Sequence, residues 1–180
     1  FYGKERELDA EIKNRLCVFA SSGKDGSMCA LWMDDAGETK IVHMGSGSGS
    51  TMTCVLTRNG LDFLRLLAIG YDEICWSEAF SSPPNSDEDE LFVHPNEPFR
   101  RWVRERFKTT IPQTALEIAT PADMDDDEPR DEFLIWLKNT PKFGRKFNAR
   151  TRKNKAAAKR KFRFNLAKPQ KSVDALLIRA

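Results

Sequence analysis

Four short apolar runs lie close together in the first third of the sequence, and a turn-forming segment separates each from the next. They are residues 16–20, Met28–Met33, 41–44 and 52–57. The connections are rich in Gly, Asp and Ser, which adopt the backbone angles of tight turns. Connections this short join antiparallel strands, because parallel strands need a crossover of a dozen or more residues. The sequence therefore predicts a four-strand antiparallel meander, or a larger sheet that contains it.

The hydrophobic period becomes helical after the fourth run. Asn59 is a suitable N-cap, apolar residues then recur at helical spacing, and Gly70 is suited to end the helix. A second helix is predicted to begin near Asn96, with Pro98 in its first turn. Together these patterns predict an α+β fold, in which helices flank a central and mainly antiparallel sheet.

Charge is divided unevenly along the chain. Residues 141–180 carry 14 basic groups and one acid, a net charge of +13, whereas residues 1–140 carry 15 basic and 26 acidic groups, a net charge of −11. The chain-wide net charge of +2 conceals this division. We therefore predict two parts, an α+β domain at 1–140 and a basic C-terminal extension at 141–180.

Two stretches hold much of the acidic charge of the domain. The second stretch follows the sequence Thr-Pro-Ala-Asp at 120–123, which predicts the start of a third helix that breaks at Pro129 and resumes beyond it. Two interpretations are open: solvated loops or helix starts, or a surface complementary to a basic protein. The residues of this candidate partner-binding surface are Asp87, Glu88, Asp89, Glu90, Asp123, Asp125, Asp126, Asp127 and Glu128.

The basic extension has its highest charge density at residues 142–163, with 11 basic residues, no acid and interleaved phenylalanines. Such a segment can bind phosphate backbones and stack on bases. A disordered arm and a strap lying on the chain's own acidic domain are the two other interpretations that stay open. The candidate nucleic-acid-binding residues are Arg145, Lys146, Arg150, Arg152, Lys153, Lys155, Lys159, Arg160 and Lys161.

No motif indicates catalysis or metal binding. His43 and His94 stand 51 positions apart, and neither lies in a recognisable catalytic motif. The Gly-Ser run at 45–50 lacks the Lys-Ser/Thr ending of a P-loop and is predicted to be a flexible turn between strands. The four cysteines form no C-x-x-C pair, so we expect buried free thiols in a reducing, cytoplasmic setting. We predict a protein that is not an enzyme and uses no cofactor or metal.

A membrane span is not expected, because no apolar run approaches the roughly 18–20 residues needed to cross a bilayer. The oligomeric state is left open by the sequence.

The order of features between residues 15 and 71 resembles a known family. Phe-Ala-Ser-Ser-Gly-Lys-Asp-Gly-Ser at 19–27 precedes Ala-Leu-Trp at 30–32, and Ile-Val-His-Met-Gly-Ser follows at 41–46. Asn-Gly-Leu-Asp-Phe-Leu-Arg-Leu-Leu-Ala-Ile-Gly-Tyr then occupies 59–71. This order resembles the SUKH superfamily, which is similar to the yeast cell-wall-assembly regulator and includes many bacterial immunity proteins.

That resemblance implies a mixed α+β fold and a non-enzymatic role, in which the protein binds and neutralises a cognate toxin, often a nuclease or deaminase. Two departures from the family pattern stand out: Gly47 replaces an acid, and the sequence given lacks most of the helical N-terminal part that is usual in the family. The leading hypothesis is therefore an immunity-type protein. The alternatives are a nucleic-acid-associated protein that acts through residues 142–163, and an intracellular regulatory scaffold.

Overall fold

The four apolar runs form one antiparallel sheet in the computed structural model, which describes residues 10–86 and 91–140. The strands are β1 (Leu16–Ser21), β2 (Met28–Met33), β3 (Thr39–Met44) and β4 (Thr53–Thr57). They pair in the order β1-β2-β3-β4, each antiparallel to its neighbour. The predicted meander is confirmed.

Within these two ranges, four helices accompany the sheet: α1 (Ala10–Arg15), α2 (Gly60–Ile69), α3 (Glu97–Phe107) and α4 (Glu132–Asn139). Short 3₁₀ turns lie at Ser77–Ser81 and Ala115–Glu117. The α+β class is thereby confirmed for the described residues, whereas the predicted basic extension at 141–180 lies outside them. Within the described ranges, no helix is long and apolar enough to cross a membrane.

The α2 boundaries follow from local capping. The Asn59 side chain accepts a hydrogen bond from the backbone N–H of Asp62, and Gly70 ends the helix at φ 102°. Only glycine adopts this left-handed conformation without strain. α3 begins in the same way, because Asn96 accepts from the backbone N–H of Phe99. Both predicted helix starts are confirmed.

Both faces of the sheet are covered by helices, because successive side chains of a strand point to opposite sides. One face packs against α2 and the 3₁₀ turns, and α3 in turn contacts α2. The other face packs against α1 and α4. The first core includes Cys29, Ile41, Cys54, Leu56, Leu66, Ile69 and Phe80, and the second includes Ile12, Ala30, Trp32, Val42, Phe133 and Leu137.

The outer part of the sheet at β1 is less well covered. Val18 and Phe19 are each 46% exposed, and Cys17 is also exposed. The expectation that the cysteines are buried is therefore wrong for Cys17, because β1 is the edge strand of the sheet. It is correct for the other three cysteines, which are buried free thiols.

The predicted start of the third helix is wrong. Residues 121–131, which we call the acidic loop, form turns and bends, and α4 begins only at Glu132. Asp123 accepts a hydrogen bond from the backbone N–H of Asp125, and Asp126 accepts from that of Glu128. These local bonds compete with helical ones. Pro129 also disfavours helical angles at the residue before it.

Candidate functional site

The acidic loop runs alongside β4, the second edge strand of the sheet. The backbone N–H of Thr53 donates to the carbonyl of Ala122 over 2.7 Å. Two residues further on, the N–H of Val55 donates to Asp131 Oδ2 over 2.9 Å. The acidic loop therefore takes the place of a fifth strand at this edge, but it uses a side chain where a strand would use a carbonyl.

A groove of about 780 Å³ opens between β4, the start of α2 and the acidic loop, and we call it the β4 groove. Carboxylates outnumber cations threefold along its walls. The carboxylates belong to Asp62, Asp123, Asp126, Glu128, Asp131 and Glu132, and the guanidinium groups to Arg58 and Arg130. The site therefore favours a positively charged ligand.

Three of these carboxylates are held by the protein itself. Asp131 caps α4 by accepting from the N–H of Leu134, and its burial raises the pKa of that carboxyl above the ordinary value. Glu132 pairs with Lys40 at 2.7 Å and with Arg58 at 2.9 Å. Asp62 pairs in the same way with Arg65 at 2.7 Å. These contacts fix the walls of the groove and leave little charge on these three carboxylates for a ligand.

Lys40 anchors the inner end of the groove to the sheet. This β3 lysine is only 4% exposed, and its ammonium lies 2.6 Å from Asp34 and 2.7 Å from Glu132. Burial alone would lower the pKa of Lys40, but its hydrogen bonds with the two carboxylates hold that pKa above the ordinary value. The pair with Glu132 thereby fixes the start of α4 against β3.

The outer rim carries the charge that is available to a ligand. Asp123, Asp126 and Glu128 are exposed, and within the described ranges none of them forms an ion pair with a Lys or Arg side chain. The carboxylates of Asp123 and Asp126 accept hydrogen bonds instead: Thr51 Oγ1 donates to Asp123 over 2.7 Å, and the backbone N–H of Glu128 donates to Asp126. Such bonds orient a carboxylate without neutralising it, so the rim projects negative charge into solvent.

Thr57 contributes a buried hydroxyl to the groove that is unsatisfied among the described residues. Thr57, at the end of β4, lines the groove and is 3% exposed. Its hydroxyl oxygen is buried and has no hydrogen-bond partner among the described residues. A buried hydroxyl without a partner costs free energy. A ligand that reaches the floor of the groove would be able to supply the missing bond.

The structure brings together only part of the predicted acidic surface. Asp123, Asp126 and Glu128 line the β4 groove, while Asp125 and Asp127 lie on the same loop. The acidic stretch in the sequence extends to Asp131 and Glu132, which also line the groove, whereas Asp62 was missed because only the fold brings the start of α2 beside this loop. Of the predicted site residues, Asp87, Glu88, Asp89, Glu90, Arg145, Lys146, Arg150, Arg152, Lys153, Lys155, Lys159, Arg160 and Lys161 lie outside the described residues.

A second polar cluster surrounds Asp25, in the turn between β1 and β2. Its carboxylate accepts from Ser27 N and Oγ, at 3.0 and 2.9 Å, from Ser46 Oγ at 2.7 Å and from Ser50 N at 2.8 Å. Burial alone would raise the pKa of Asp25, but these hydrogen bonds hold it well below its ordinary value. Asp25 is therefore a structural carboxylate.

The Gly-Ser run at 45–50 folds around Asp25. Gly47 adopts φ 73°, and a Cβ at Gly49 would lie 2.7 Å from the Cβ of Asp25. The predicted turn between strands is confirmed, and Asp25 fixes its conformation. Because a carboxylate accepts the N–H and O–H groups that a phosphate would need, the run is not an anion cradle.

His43 lies next to this cluster in the sheet and is fully buried. Its Nδ1 lies 2.8 Å from the carbonyl oxygen of Met52, and its Nε2 lies 2.8 Å from Ser22 Oγ. A carbonyl only accepts, so Nδ1 carries the proton and Nε2 accepts from the serine. Burial lowers the pKa of His43 below 6.5. With Ser22 only 7% exposed, the pair is enclosed in the protein rather than presented to a substrate.

No family model, curated protein or solved structure matches the chain. The resemblance to the SUKH superfamily therefore stays a prediction.

Proposed function

We propose that this chain is a non-enzymatic immunity-type protein, which neutralises a basic toxin domain by binding it in the β4 groove. The observation that supports the proposal is the outer rim, where Asp123, Asp126 and Glu128 are exposed and form no ion pair among the described residues. Hydrogen bonds also orient the carboxylates of Asp123 and Asp126. A cognate toxin would be met in the cytoplasm, as the free thiols suggest.

The mechanism is occlusion. A nuclease or deaminase that acts on nucleic acid holds its substrate with Lys and Arg side chains. A rim of carboxylates offers those cations an alternative partner, and it also accelerates encounter through long-range attraction. The groove supplies shape, because its walls are fixed by the contacts of Lys40, Asp131 and Glu132. Neutralisation then needs no chemistry from the immunity protein.

The test is binding and protection against the toxin candidate encoded beside this gene. The groove variant, Asp126→Asn with Glu128→Gln, removes two rim charges. The control variant, Glu38→Gln with Glu105→Gln, removes two exposed charges outside the groove. We expect the groove variant to raise the Kd about tenfold or more, since a loss of about 1.4 kcal/mol corresponds to tenfold. The control variant should retain wild-type affinity.

Salt provides a second readout in the same experiment. Wild-type binding should weaken between 50 and 300 mM NaCl, and the groove variant should show a smaller dependence, because screening acts on exposed charge pairs (Debye length about 10 Å at 0.1 M). Equal affinities for the groove and control variants would contradict the proposal. So would a neighbouring gene product that is toxic but is neither bound nor neutralised.

A further inference from the structure

The end of α4 lies beside the acidic loop. Lys138, in the last turn of the helix, donates a hydrogen bond from its Nζ to the backbone carbonyl of Asp126. Thr140 caps the helix in an extended conformation, with φ −73° and ψ 126°. It lies about 3 Å further along the helix axis than Lys138, at about 1.5 Å per residue. The rest of the chain therefore starts close to the rim of the β4 groove.

The basic residues that follow are within reach of that rim. Four residues separate Thr140 from Arg145. Five extended steps span up to about 17 Å, at about 3.3–3.6 Å per residue, before the arginine side chain is counted. The following cations, up to Lys161, have still longer tethers. The chain after Thr140 is therefore long enough for these basic residues to reach the groove.

The charge of the basic segment at 142–163 is complementary to that of the groove rim. Residues 142–163 carry 11 basic side chains and no acid, while the rim presents Asp123, Asp126 and Glu128. A tether also raises the local concentration of one partner at the other, into the millimolar range for short flexible linkers. An interaction that is weak between separate molecules is then populated within one chain.

The groove floor supplies an observation that is independent of charge. The buried hydroxyl of Thr57 lacks a partner among the described residues, and it is able both to donate and to accept. A peptide segment carries backbone N–H and C=O groups along its whole length, and either group satisfies this hydroxyl. A basic peptide therefore offers partners both for this hydroxyl and for the carboxylates of the rim.

We propose that residues 145–161 of this chain dock in the β4 groove and compete there with any other basic ligand. The docking stands by itself, whereas competition with a toxin rests on the proposed function. A ligand that needs an empty groove binds with an affinity reduced by the fraction of grooves that are empty. With nine grooves in ten occupied by the tail, a partner would bind about tenfold more weakly.

The experiment uses the full chain and a fluorescein-labelled deca-lysine peptide, titrated by anisotropy at low salt. The tail variant carries Arg150→Gln, Arg152→Gln, Lys153→Gln and Lys155→Gln. It should bind deca-lysine about tenfold more tightly than the wild type. Neutralising the tail also makes the whole chain more acidic, so the tail variant is repeated in two backgrounds. These are the groove variant and the control variant defined above.

Docking requires that the tenfold gain persist in the control background and vanish in the groove background. A gain of equal size in both backgrounds would reflect net charge alone and overturn the inference. No gain in any background, with weaker binding by the groove variant, would overturn the inference and leave the acidic groove intact as a binding site. If the groove and control variants bind deca-lysine equally, the groove itself fails and the proposed function fails with it.

Carbodiimide cross-linking of dilute wild-type chain provides a readout without a probe. Mass spectrometry of the monomer should find links from Lys153 or Lys155 to Asp126 or Glu128. Links to Glu38 and Glu105 should be several-fold rarer. Links spread evenly over these carboxylates would contradict docking.

Discussion

The loop around Asp25 and the acidic loop beside β4 use carboxylates in opposite ways. Asp25 accepts four hydrogen bonds from Ser27, Ser46 and Ser50, and the chain folds closely around it. In the acidic loop, Asp126 accepts a bond from the next turn but keeps its charge exposed to solvent. The first carboxylate organises the protein, whereas the second is available to a partner. The number of donors that meet a carboxylate therefore separates structural acids from candidate binding acids.

The largest effect on the free energy of unfolding is expected from a substitution of Asp25. Asp25→Ala would remove the acceptor for Ser27, Ser46 and Ser50 together, and it should lower the free energy of unfolding by about 2–4 kcal/mol. Urea denaturation measures this loss. Asp25→Asn keeps one acceptor oxygen and should fall between the wild type and the alanine variant. A change below about 0.5 kcal/mol in Asp25→Ala would show that the loop does not depend on its carboxylate.

An intermediate effect on the free energy of unfolding is expected from protonation of His43, the buried neighbour of the Asp25 loop. Its pKa is below the 6.5 of an exposed imidazole, so the folded protein favours the neutral form. The resulting stabilisation is present above pH 6.5 and is lost as the pH falls below 6.5 towards the folded-state pKa. The loss is at most about 1.4 kcal/mol per pH unit for one proton.

Urea denaturation at several pH values between 7 and 5 measures this loss. The matched control is His43→Gln, which should be less stable at pH 7 but should lack this part of the pH dependence. The two proteins share every other ionisable group, so the contribution of those groups cancels in the comparison. Parallel pH profiles for the two proteins would contradict the assignment.

The smallest effect on stability is expected in the acidic loop. Asp126→Asn with Glu128→Gln should change the free energy of unfolding by no more than about 0.5 kcal/mol, as is usual for exposed positions. Asparagine also retains the oxygen that accepts from the N–H of Glu128. Urea denaturation beside the Asp25 variants measures the contrast. A loss above about 1.5 kcal/mol would place these acids in the structural class instead.

Local patterns were sufficient to predict most of the elements. The sheet order follows from short turns between four apolar runs, and the start of α2 follows from the capping residue Asn59. The acidic loop was misassigned because its acids bond to their own backbone and because it pairs with β4, a contact between residues about 70 positions apart. Periodicity contains no information on such a contact. The short helix α1 was not predicted either.

Only part of the candidate site was predictable, because local patterns do not show which distant residues the fold brings together. Clustered acids in the sequence indicated Asp123, Asp126 and Glu128, but only the fold places Asp62 and Arg58 opposite them. The sequence also did not distinguish the structural carboxylate of Asp25 from the exposed carboxylates of the acidic loop. Ser46 and Ser50 stand 21 and 25 positions from Asp25, so the network that makes this acid structural forms only when the sheet does.

The burial of three thiols means that their reaction with an alkylating reagent reports local unfolding of the protein. Cys29 and Cys54 lie in the core that faces α2, and burial raises the pKa of the first to about 11 and of the second to about 12. Burial likewise raises the pKa of Cys75 to about 12. Since the thiolate is the reactive form, alkylation at neutral pH begins at the exposed Cys17. Modification of Cys29 or Cys54 would then require α2 and its neighbouring turns to separate from the sheet.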